Sequence, residues 1–330
     1  MRDLERRYRK LLRVYPTSYR QARGAEIIGT YLDLAESERR WPSILDVTDV
    51  LAGGIRERLR AVGAADLLPG VRLAAVLSFI TATTLAGFWA AAETVTVSDT
   101  WGSPSFGPFA TTGIVVWASW LLAAVVHVLA PARVHIAIGL ALSTTAAVVP
   151  VAALFELPRP YMFVLVPQAM LGFLALAIPT HTARRHRLMP LTVAAAAALI
   201  AAGALSGRST WFYRFSYGGA FLPEAGAALL LTAMLTAAIL SLRGDTRGLW
   251  AIFVLLTPIG LLALYPLTEN IAPVVGAGHA DFRVATGTAA VVFLLGGTTL
   301  VTALAIRRRS SAAVDTLASP VHERCPQCGR

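Results

Sequence analysis

The two cysteines of the chain lie close together near its carboxyl end, in the sequence His322-Glu-Arg-Cys325-Pro-Gln-Cys328-Gly-Arg. Two thiolates at this C-x2-C spacing are typical of one half of a tetrahedral zinc site. One chain supplies Cys325, Cys328 and His322, so a homodimer through the tail or a partner would complete the four ligands. The alternatives are a cytosolic redox pair and a tail that holds no ligand. A structural disulfide is disfavoured in a reducing compartment.

A second set of polar and aromatic residues falls at predicted helix ends and loops on one expected face of the protein, the outer face. These candidates for an outer site are Glu156, Glu269, Glu93, Glu224, Trp101 and Trp211. Carboxylates beside aromatic faces attract a cationic or amphiphilic molecule. The simpler interpretation is that the carboxylates mark helix ends at the water interface and that the aromatic residues form an interfacial belt.

Signatures of catalysis are missing from the sequence. It contains no H-E-x-x-H, G-x-S-x-G or paired-aspartate motif, and its only lysine, Lys10, does not end a glycine-rich loop. We therefore expect no enzyme, no catalytic residues and no nucleotide-driven motor. Within the apolar runs described next, the acidic and basic side chains are His127 and, near the outer end of the run 220–241, Glu224. The position of His127 near the inner end of its run predicts contact with interfacial water, and the lack of charges at mid-run argues against a proton-coupled carrier.

Composition places the chain among membrane proteins. Of its 330 residues 56% are hydrophobic and 15% charged, with a mean hydropathy of +0.62, whereas soluble domains carry about a quarter charged residues. Eight apolar runs follow Arg72, uncharged except for Glu224, and each is near the roughly 20 residues that cross a bilayer. In lipid such runs must be helical, which predicts an all-α polytopic protein. The runs cover about 73–92, 110–130, 136–155, 162–180, 188–206, 220–241, 249–267 and 284–306.

Arginines set the expected orientation. With the amino terminus inside, the short inner segments carry nine arginines and one acidic residue, and the outer loops carry four arginines and six acidic residues. Cytoplasmic loops accumulate Lys and Arg, so we expect a protein of the cytoplasmic (inner) membrane with both termini in the cytoplasm. The first fifteen residues lack the apolar core and cleavage site of a signal peptide.

The membrane part also aligns with itself at an offset of about 113 residues. Trp101 then meets Trp211 and Glu156 meets Glu269, which predicts a tandem 4+4 parallel repeat about an axis along the membrane normal. Chance alignment of apolar sequence is the alternative. The expected division is a cytoplasmic helical domain over 1–70, membrane repeats over 71–186 and 187–309, and a cytoplasmic tail over 310–330.

The amino-terminal segment predicts three helices over residues 2–14, about 18–36 and about 43–61. Pro16 ends the first helix, Thr17 or Ser18 is expected to cap the second, and Pro42 with Ser43 opens the third. The apolar stripe expected on the second helix consists of Ile27, Ile28, Tyr31, Leu32 and Leu34.

The first of these helices is amphipathic, with arginines at helical spacing. Arg6, Arg9 and Arg13 on its basic face are candidates for docking on a cytoplasmic protein or on anionic lipid. The alternative is a solvated basic face that only follows the positive-inside bias.

The run Leu11-Leu12-Arg13-Val14-Tyr15-Pro16, followed by Tyr19-Arg20, Glu26-Ile27-Ile28 and Leu32-Asp33, resembles the HAAS-like or permease-prefix domains of bacterial membrane proteins. The match covers about 60 residues, and the membrane part matches no transporter family. The resemblance implies a cytoplasmic helical domain on a polytopic protein, linked with signalling and with PadR-type regulators. It carries over no catalytic residue.

Together these features predict an integral membrane protein with a sensor or regulatory role and a cytoplasmic interaction domain. The alternative is a permease-like component for a small uncharged or amphiphilic solute. The expected partners are the lipid bilayer, a cytoplasmic regulator protein and a second copy of the chain, with no direct contact to nucleic acid. A polar cavity between the two halves would favour transport.

Overall fold

The computed structural model describes residues 2–35, 39, 41–61, 64, 66–94, 106–181, 183–205, 230, 235, 246–275 and 282–318. Over these residues the chain is all-helical, with eleven α-helices and two short 3-10 turns, Leu12–Val14 and Pro131–Arg133. The α-helices are α1 (Arg2–Leu11), α2 (Thr17–Asp33), α3 (Ile44–Ala61), α4 (Leu67–Glu93), α5 (Gly113–Leu129), α6 (Val134–Leu154), α7 (Met162–Ala175), α8 (Arg184–Leu205), α9 (Thr246–Leu262), α10 (Leu264–Ile271) and α11 (Phe282–Ala318).

Four stretches of the described helices are long and apolar enough to cross a membrane: Leu67–Glu93, Pro131–Leu154, Arg184–Gly203 and Arg283–Ile306. Three shorter apolar helices, Gly113–Leu129, Met162–Ala175 and Arg247–Leu262, accompany them. Seven of the eight apolar runs in the sequence thus contain an apolar helix. The remaining run, 220–241, lies outside the described residues except at positions 230 and 235.

Two helices end elsewhere than the apolar runs indicate. The run 162–180 contains a helix of only 14 residues, α7, which spans about 21 Å at 1.5 Å per residue. In contrast, α11 has 37 residues and continues beyond the apolar run to Ala318. Its polar last turns contain neither Gly nor Pro, so local helix propensity does not oppose the extension.

The contacts divide the chain into two compact units, one comprising Met1–Leu68 and Leu300–Arg330 and the other Pro69–Thr299. In the first unit, α1 buries Leu4 and Tyr8, and the following turn buries Leu12. Leu12 packs with Tyr15 and Val50 in a small core. The apolar positions of the amphipathic first helix thus face the core of this unit, as the spacing indicated.

Reciprocal hydrogen bonds cap the start of α3. The backbone N–H of Asp46 donates to Ser43 Oγ, and the backbone N–H of Ser43 donates to Asp46 Oδ2, both at 3.0 Å. This arrangement satisfies two backbone donors that the first turn of a helix leaves free. The bond with Ser43 also holds the pKa of Asp46 below its usual value.

Two tyrosines join α1 and α2 to α3. The Tyr8 hydroxyl donates to Asp46 Oδ2 at 2.8 Å, and the Tyr31 hydroxyl donates to Asp49 Oδ2. The two rings stack with their centroids 5.3 Å apart. Burial and the bond to Asp46 raise the pKa of Tyr8 to about 12, so this tyrosine stays a neutral donor at physiological pH.

Tyr15 sits against a pair of glycines on α3. A Cβ at position 53 would overlap the Tyr15 hydroxyl, and a Cβ at position 54 would lie 2.8 Å from Val14 Cγ1. Arg58, one turn further along α3, donates to the backbone carbonyl of Val14 and, at 2.8 Å, to that of Arg13. The Val14-Tyr15 segment is therefore fixed to α3 by close packing and by hydrogen bonds.

Two expectations for α2 are wrong. Its N-cap is Pro16, which makes no side-chain cap bond, so neither Thr17 nor Ser18 caps the helix. Leu34, expected in the apolar stripe, is 76% exposed, because α2 ends at Asp33 and Leu34 follows it. Ile27, Ile28 and Tyr31 do pack against the core.

In the second unit, α4 makes close contacts with three helices. A Cβ at Gly87 would overlap the Ala194 carbonyl of α8, and a Cβ at Gly70 would lie 2.5 Å from Trp250 Cβ of α9. From α7, Gln168 Nε2 donates to the Ala82 carbonyl at 3.1 Å. Small residues on α4 thus let neighbouring backbones approach it, as is common among helices that pack in membranes.

The contact of Tyr15 with α3 predicts unequal effects of two glycine substitutions. Gly53→Ala should loosen the packing of α1, α2 and α3 (residues 2–61, the α1–α3 unit), because the new methyl group displaces Tyr15. Gly29→Ala on α2 should preserve or strengthen it, because no atom lies within 4 Å of the new Cβ and alanine favours a helix by about 0.5–1 kcal/mol. Hydrogen exchange over residues 2–61 of the full chain checks this: equal exchange in the two variants would contradict the packing.

Candidate functional site

Glu93, the last residue of α4, has its side chain buried, with 3% of the residue exposed. Its Oε2 accepts a hydrogen bond from the Thr111 backbone N–H at 2.6 Å. Its Oε1 accepts the Thr111 hydroxyl at 2.5 Å and the indole N–H of Trp117 at 3.4 Å. We call Glu93, Thr111, Gly113 and Trp117 the Glu93 clasp. It joins the end of α4 to the start of α5.

The chain enters the clasp through a tight turn. Phe106 and Phe109 exchange backbone hydrogen bonds at 2.9 and 3.1 Å, and Gly107 between them has a φ of 60°, a conformation that glycine adopts without steric cost. The next residue, Ala110, donates its N–H to the Glu93 carbonyl at 3.2 Å. The turn therefore brings Thr111 directly over the carboxyl group of Glu93.

Gly113 leaves the space that the clasp needs. A Cβ at this position would lie 2.7 Å from Glu93 Oε1 and 2.5 Å from Pro160 Cγ. The Gly113 N–H donates to the Thr111 hydroxyl oxygen at 3.0 Å, and that hydroxyl in turn donates to Glu93. Any larger residue at position 113 would push the carboxyl group away from its donors.

The loop between α6 and α7, which contains Glu156, is hydrogen-bonded to Thr112, next to Thr111 of the Glu93 clasp. The backbone N–H and the hydroxyl of Thr112 both donate to the Pro158 carbonyl, at 2.9 and 3.0 Å. Glu156 itself is exposed and has a φ of 52°. Because the Leu157 N–H bonds back to the Ala152 carbonyl at 2.9 Å, Glu156 occupies the left-handed position that ends a helix.

Glu269 lies in a third setting, on α10, and is exposed. One turn earlier on the same helix is Tyr265, whose ring packs on Phe163 with centroids 4.9 Å apart. Phe163 in turn stacks on Tyr161 at 5.2 Å. Of the three described outer-site candidates, Glu93 is therefore buried and bonded, whereas Glu156 and Glu269 present their side chains at the surface.

The other outer-site candidates, Trp101, Trp211 and Glu224, lie outside the described residues, and so do His322, Cys325 and Cys328 of the proposed zinc site. In the part of the chain that the structure describes, no group of three or more His, Cys, Asp or Glu side chains is placed to hold a metal ion.

Arg6, Arg9 and Arg13, the candidates for cytoplasmic interaction, are all exposed. Arg6 lies 3.7 Å from Asp3 and Arg9 lies 2.5 Å from Glu5, so acids on the same helix offset part of this basic face.

Sequence reasoning missed an apolar surface on the same unit. Trp41, Ile44 and Leu45 are 67%, 83% and 79% exposed, and the Arg7 guanidinium lies 3.0 Å above the Trp41 ring. The run Trp41-Pro42-Ser43-Ile44-Leu45, apolar on both sides of a helix cap, is the signal that identifies this surface in the sequence.

His127 also differs from expectation. We predicted that its ring reaches interfacial water, but the residue is only 3% exposed. Its ring packs edge-on against Phe79 of α4, with centroids 5.4 Å apart. Although His127 lies near the end of α5, it is buried because α4 and α8 pack beside α5 at this level.

The chain matches no protein-family model, no curated protein and no solved structure. The clasp must therefore be interpreted from its own geometry. Three donors already bind the carboxyl oxygens of Glu93, so this group holds the end of α4 to the start of α5. A ligand would have to displace Thr111 or Trp117 to reach it.

The clasp predicts that Glu93→Gln destabilises the protein. A glutamine amide turns an NH2 group toward one of the three donors, and an unsatisfied buried donor costs about 1–3 kcal/mol. Thermal unfolding in detergent should show a lower Tm for Glu93→Gln and an unchanged Tm for the matched control Glu156→Gln, whose side chain is exposed. A Glu93→Gln variant as stable as the wild type would show that the three bonds contribute nothing.

Proposed function

We propose that this chain is a regulatory protein of the cytoplasmic membrane. Eight membrane helices cross the bilayer, and both termini lie in the cytoplasm. The end of α4 that carries Glu93 faces outward, and the α1–α3 unit is the cytoplasmic interaction domain. A signal that opens or reshapes the Glu93 clasp changes what this domain binds.

Surface composition supports a position in the bilayer. Large apolar side chains cover the outside of the long helices, including Ile136, Leu140, Leu199 and Val301, at 55–75% exposure. Apolar surface on this scale is unfavourable in water and marks contact with lipid or with another protein. With the charge asymmetry of the loops, it supports the multi-pass arrangement.

The order and positions of the helices support the tandem repeat. At the offset of about 113 residues, α4 corresponds to α8, α6 to α9, and α7 to the first part of α11. The second helix of the later repeat would fall in the apolar run 220–241. This correspondence favours two parallel four-helix halves, although Glu156 follows the end of α6 whereas its counterpart Glu269 lies on the short helix α10.

The observation that carries the regulatory proposal is the place of the Glu93 clasp on α4. This helix is continuous over 27 residues, about 40 Å at 1.5 Å per residue, and Glu93 ends it. At its other end, α4 is separated from the end of α3 at Ala61 by five residues. A rearrangement at the clasp therefore acts on the same helix that is joined to the α1–α3 unit.

The surface of the α1–α3 unit supports an interaction role. The residues Trp41, Ile44 and Leu45 are exposed, and the Arg7 guanidinium lies over the Trp41 ring, which fits a protein partner with an apolar face bordered by acidic side chains. The resemblance to HAAS-like domains agrees with this role, and the motif tyrosine Tyr15 fixes the turn after α1 to α3.

A permease-like role is the second candidate, and helix-internal prolines favour it. Pro150, Pro167, Pro190 and Pro258 lie inside α6, α7, α8 and α9, where each removes a backbone hydrogen bond and provides a point for bending. A carrier of this kind would change shape within the membrane helices without a requirement for coupling to the α1–α3 unit.

The regulatory proposal predicts that a substitution in the Glu93 clasp changes hydrogen exchange in the α1–α3 unit. In the full chain reconstituted in nanodiscs, Glu93→Gln should change hydrogen exchange over residues 2–61, because α4 connects the two regions. Glu156→Gln, the matched control, should leave this exchange unchanged. Mass-spectrometric hydrogen exchange at equal temperature and lipid composition makes the comparison.

If Glu93→Gln changes hydrogen exchange only around residues 90–117, the Glu93 clasp is not coupled to the α1–α3 unit. That result would contradict the regulatory role and leave the permease-like role in its place.

A further inference from the structure

Two buried nitrogen atoms at the other end of the helix bundle lack hydrogen-bond partners. They are Nδ1 of His127, near the end of α5, and Nε of Arg187, in the first turn of α8. Over the described residues only two further buried side-chain atoms, in Arg20 and Ser78, share this property. Buried polar groups in native proteins are almost always satisfied, so these two nitrogens point to a ligand.

The packing of α4 against α8 places Arg187 at the level of His127. Thr83 contacts the Pro190 carbonyl and Gly87 contacts Ala194; both pairs are 107 residues apart, so the two helices run side by side in parallel. The same offset sets Arg187 level with residue 80, next to Phe79, and Phe79 packs on His127.

The polar neighbours at this level are basic residues. Arg187 and His135 lie close enough to the His127 ring to interact with it electrostatically. His135 Nε2 lies 3.1 Å from the Ile178 carbonyl; since a carbonyl only accepts, this nitrogen carries the proton. The amino-terminal end of α8 adds the partial positive charge of a helix N-terminus. An anion offers acceptors for the Nε–H of Arg187 and for His127 in the tautomer that has its proton on Nδ1.

We propose that His127, Arg187 and the first turn of α8 bind a phosphate-bearing anion. Phosphate offers only acceptor oxygens, and a guanidinium donates to it in a fixed, fork-like geometry. The site lies where α5 ends and α8 begins, the depth at which lipid headgroups meet membrane helices. The phosphate of an anionic lipid and free phosphate share this chemistry, and the proposal does not depend on the regulatory role.

Two arginines of α8 allow a matched test. Arg187 is half-buried, whereas Arg184, one turn away, is exposed; replacing either with Gln removes the same charge. The full chain is placed in nanodiscs of phosphatidylcholine with or without phosphatidylglycerol, and its Tm is measured. Phosphatidylglycerol should raise the Tm of the wild type and of Arg184→Gln but not that of Arg187→Gln. Arg187→Lys, which keeps the charge, should recover part of the response.

Native mass spectrometry of the same samples counts retained phospholipids. Retention of phosphatidylglycerol should fall about tenfold in Arg187→Gln, corresponding to about 1.4 kcal/mol in binding free energy. If inorganic phosphate instead raises the wild-type Tm in pure phosphatidylcholine, and Arg187→Gln abolishes that rise, the ligand is free phosphate. Identical responses of Arg187→Gln and Arg184→Gln to both additions would overturn the site.

Discussion

A carboxyl group buried at a helix end is the constraint on which the second unit depends. Burial of Glu93 is tolerable only because three donors reach its two oxygens. Those donors come from a turn around Gly107 and from the first residues of α5, so the chain must fold back over the end of α4. Gly113 then has to be small, and Thr112 reaches the loop that precedes α7. One side chain thereby helps to fix two helix connections, α4–α5 and α6–α7.

Close backbone contacts also hold neighbouring helices against α4 along its length. Gly70 and Gly87 admit α9 and α8, and the Ala82 carbonyl receives Gln168 of α7. In a bilayer the lipid tails are as apolar as the protein interior, so apolar burial gives little gain. Close packing at small residues and hydrogen bonds between helices then hold the helices together. The prominence of Ala and Gly in the sequence therefore has a packing role. It also makes α4 the element through which a change at Glu93 would reach its neighbours.

Local features were predictable from the sequence, and long-range ones were not. Apolar runs located seven apolar helices, four of them long enough to cross a membrane, and Ser43 marked the start of α3, because both signals arise within a few residues. Glu93 looked like any acid at a helix end, since its partners lie 18 and 24 residues away. His127 looked accessible for the same reason: the helices that cover it are distant in sequence. The sequence put Glu93, Glu156 and Glu269 alike at helix ends. Glu156 and Glu269 are exposed and Glu93 is buried, and nothing in the pattern separated them.

In the proposed arrangement, α4 crosses the membrane with the Glu93 clasp outside and the α1–α3 unit inside. Two exposed positions report on it: Phe155, in the loop bonded to Thr112, and Ala132, in the turn between α5 and α6. Single cysteines are introduced at these positions after Cys325 and Cys328 have been changed to serine. An impermeant maleimide applied to spheroplasts should label position 155 directly and position 132 only after lysis. Labelling of position 132 without lysis, or of position 155 only after it, would contradict the account.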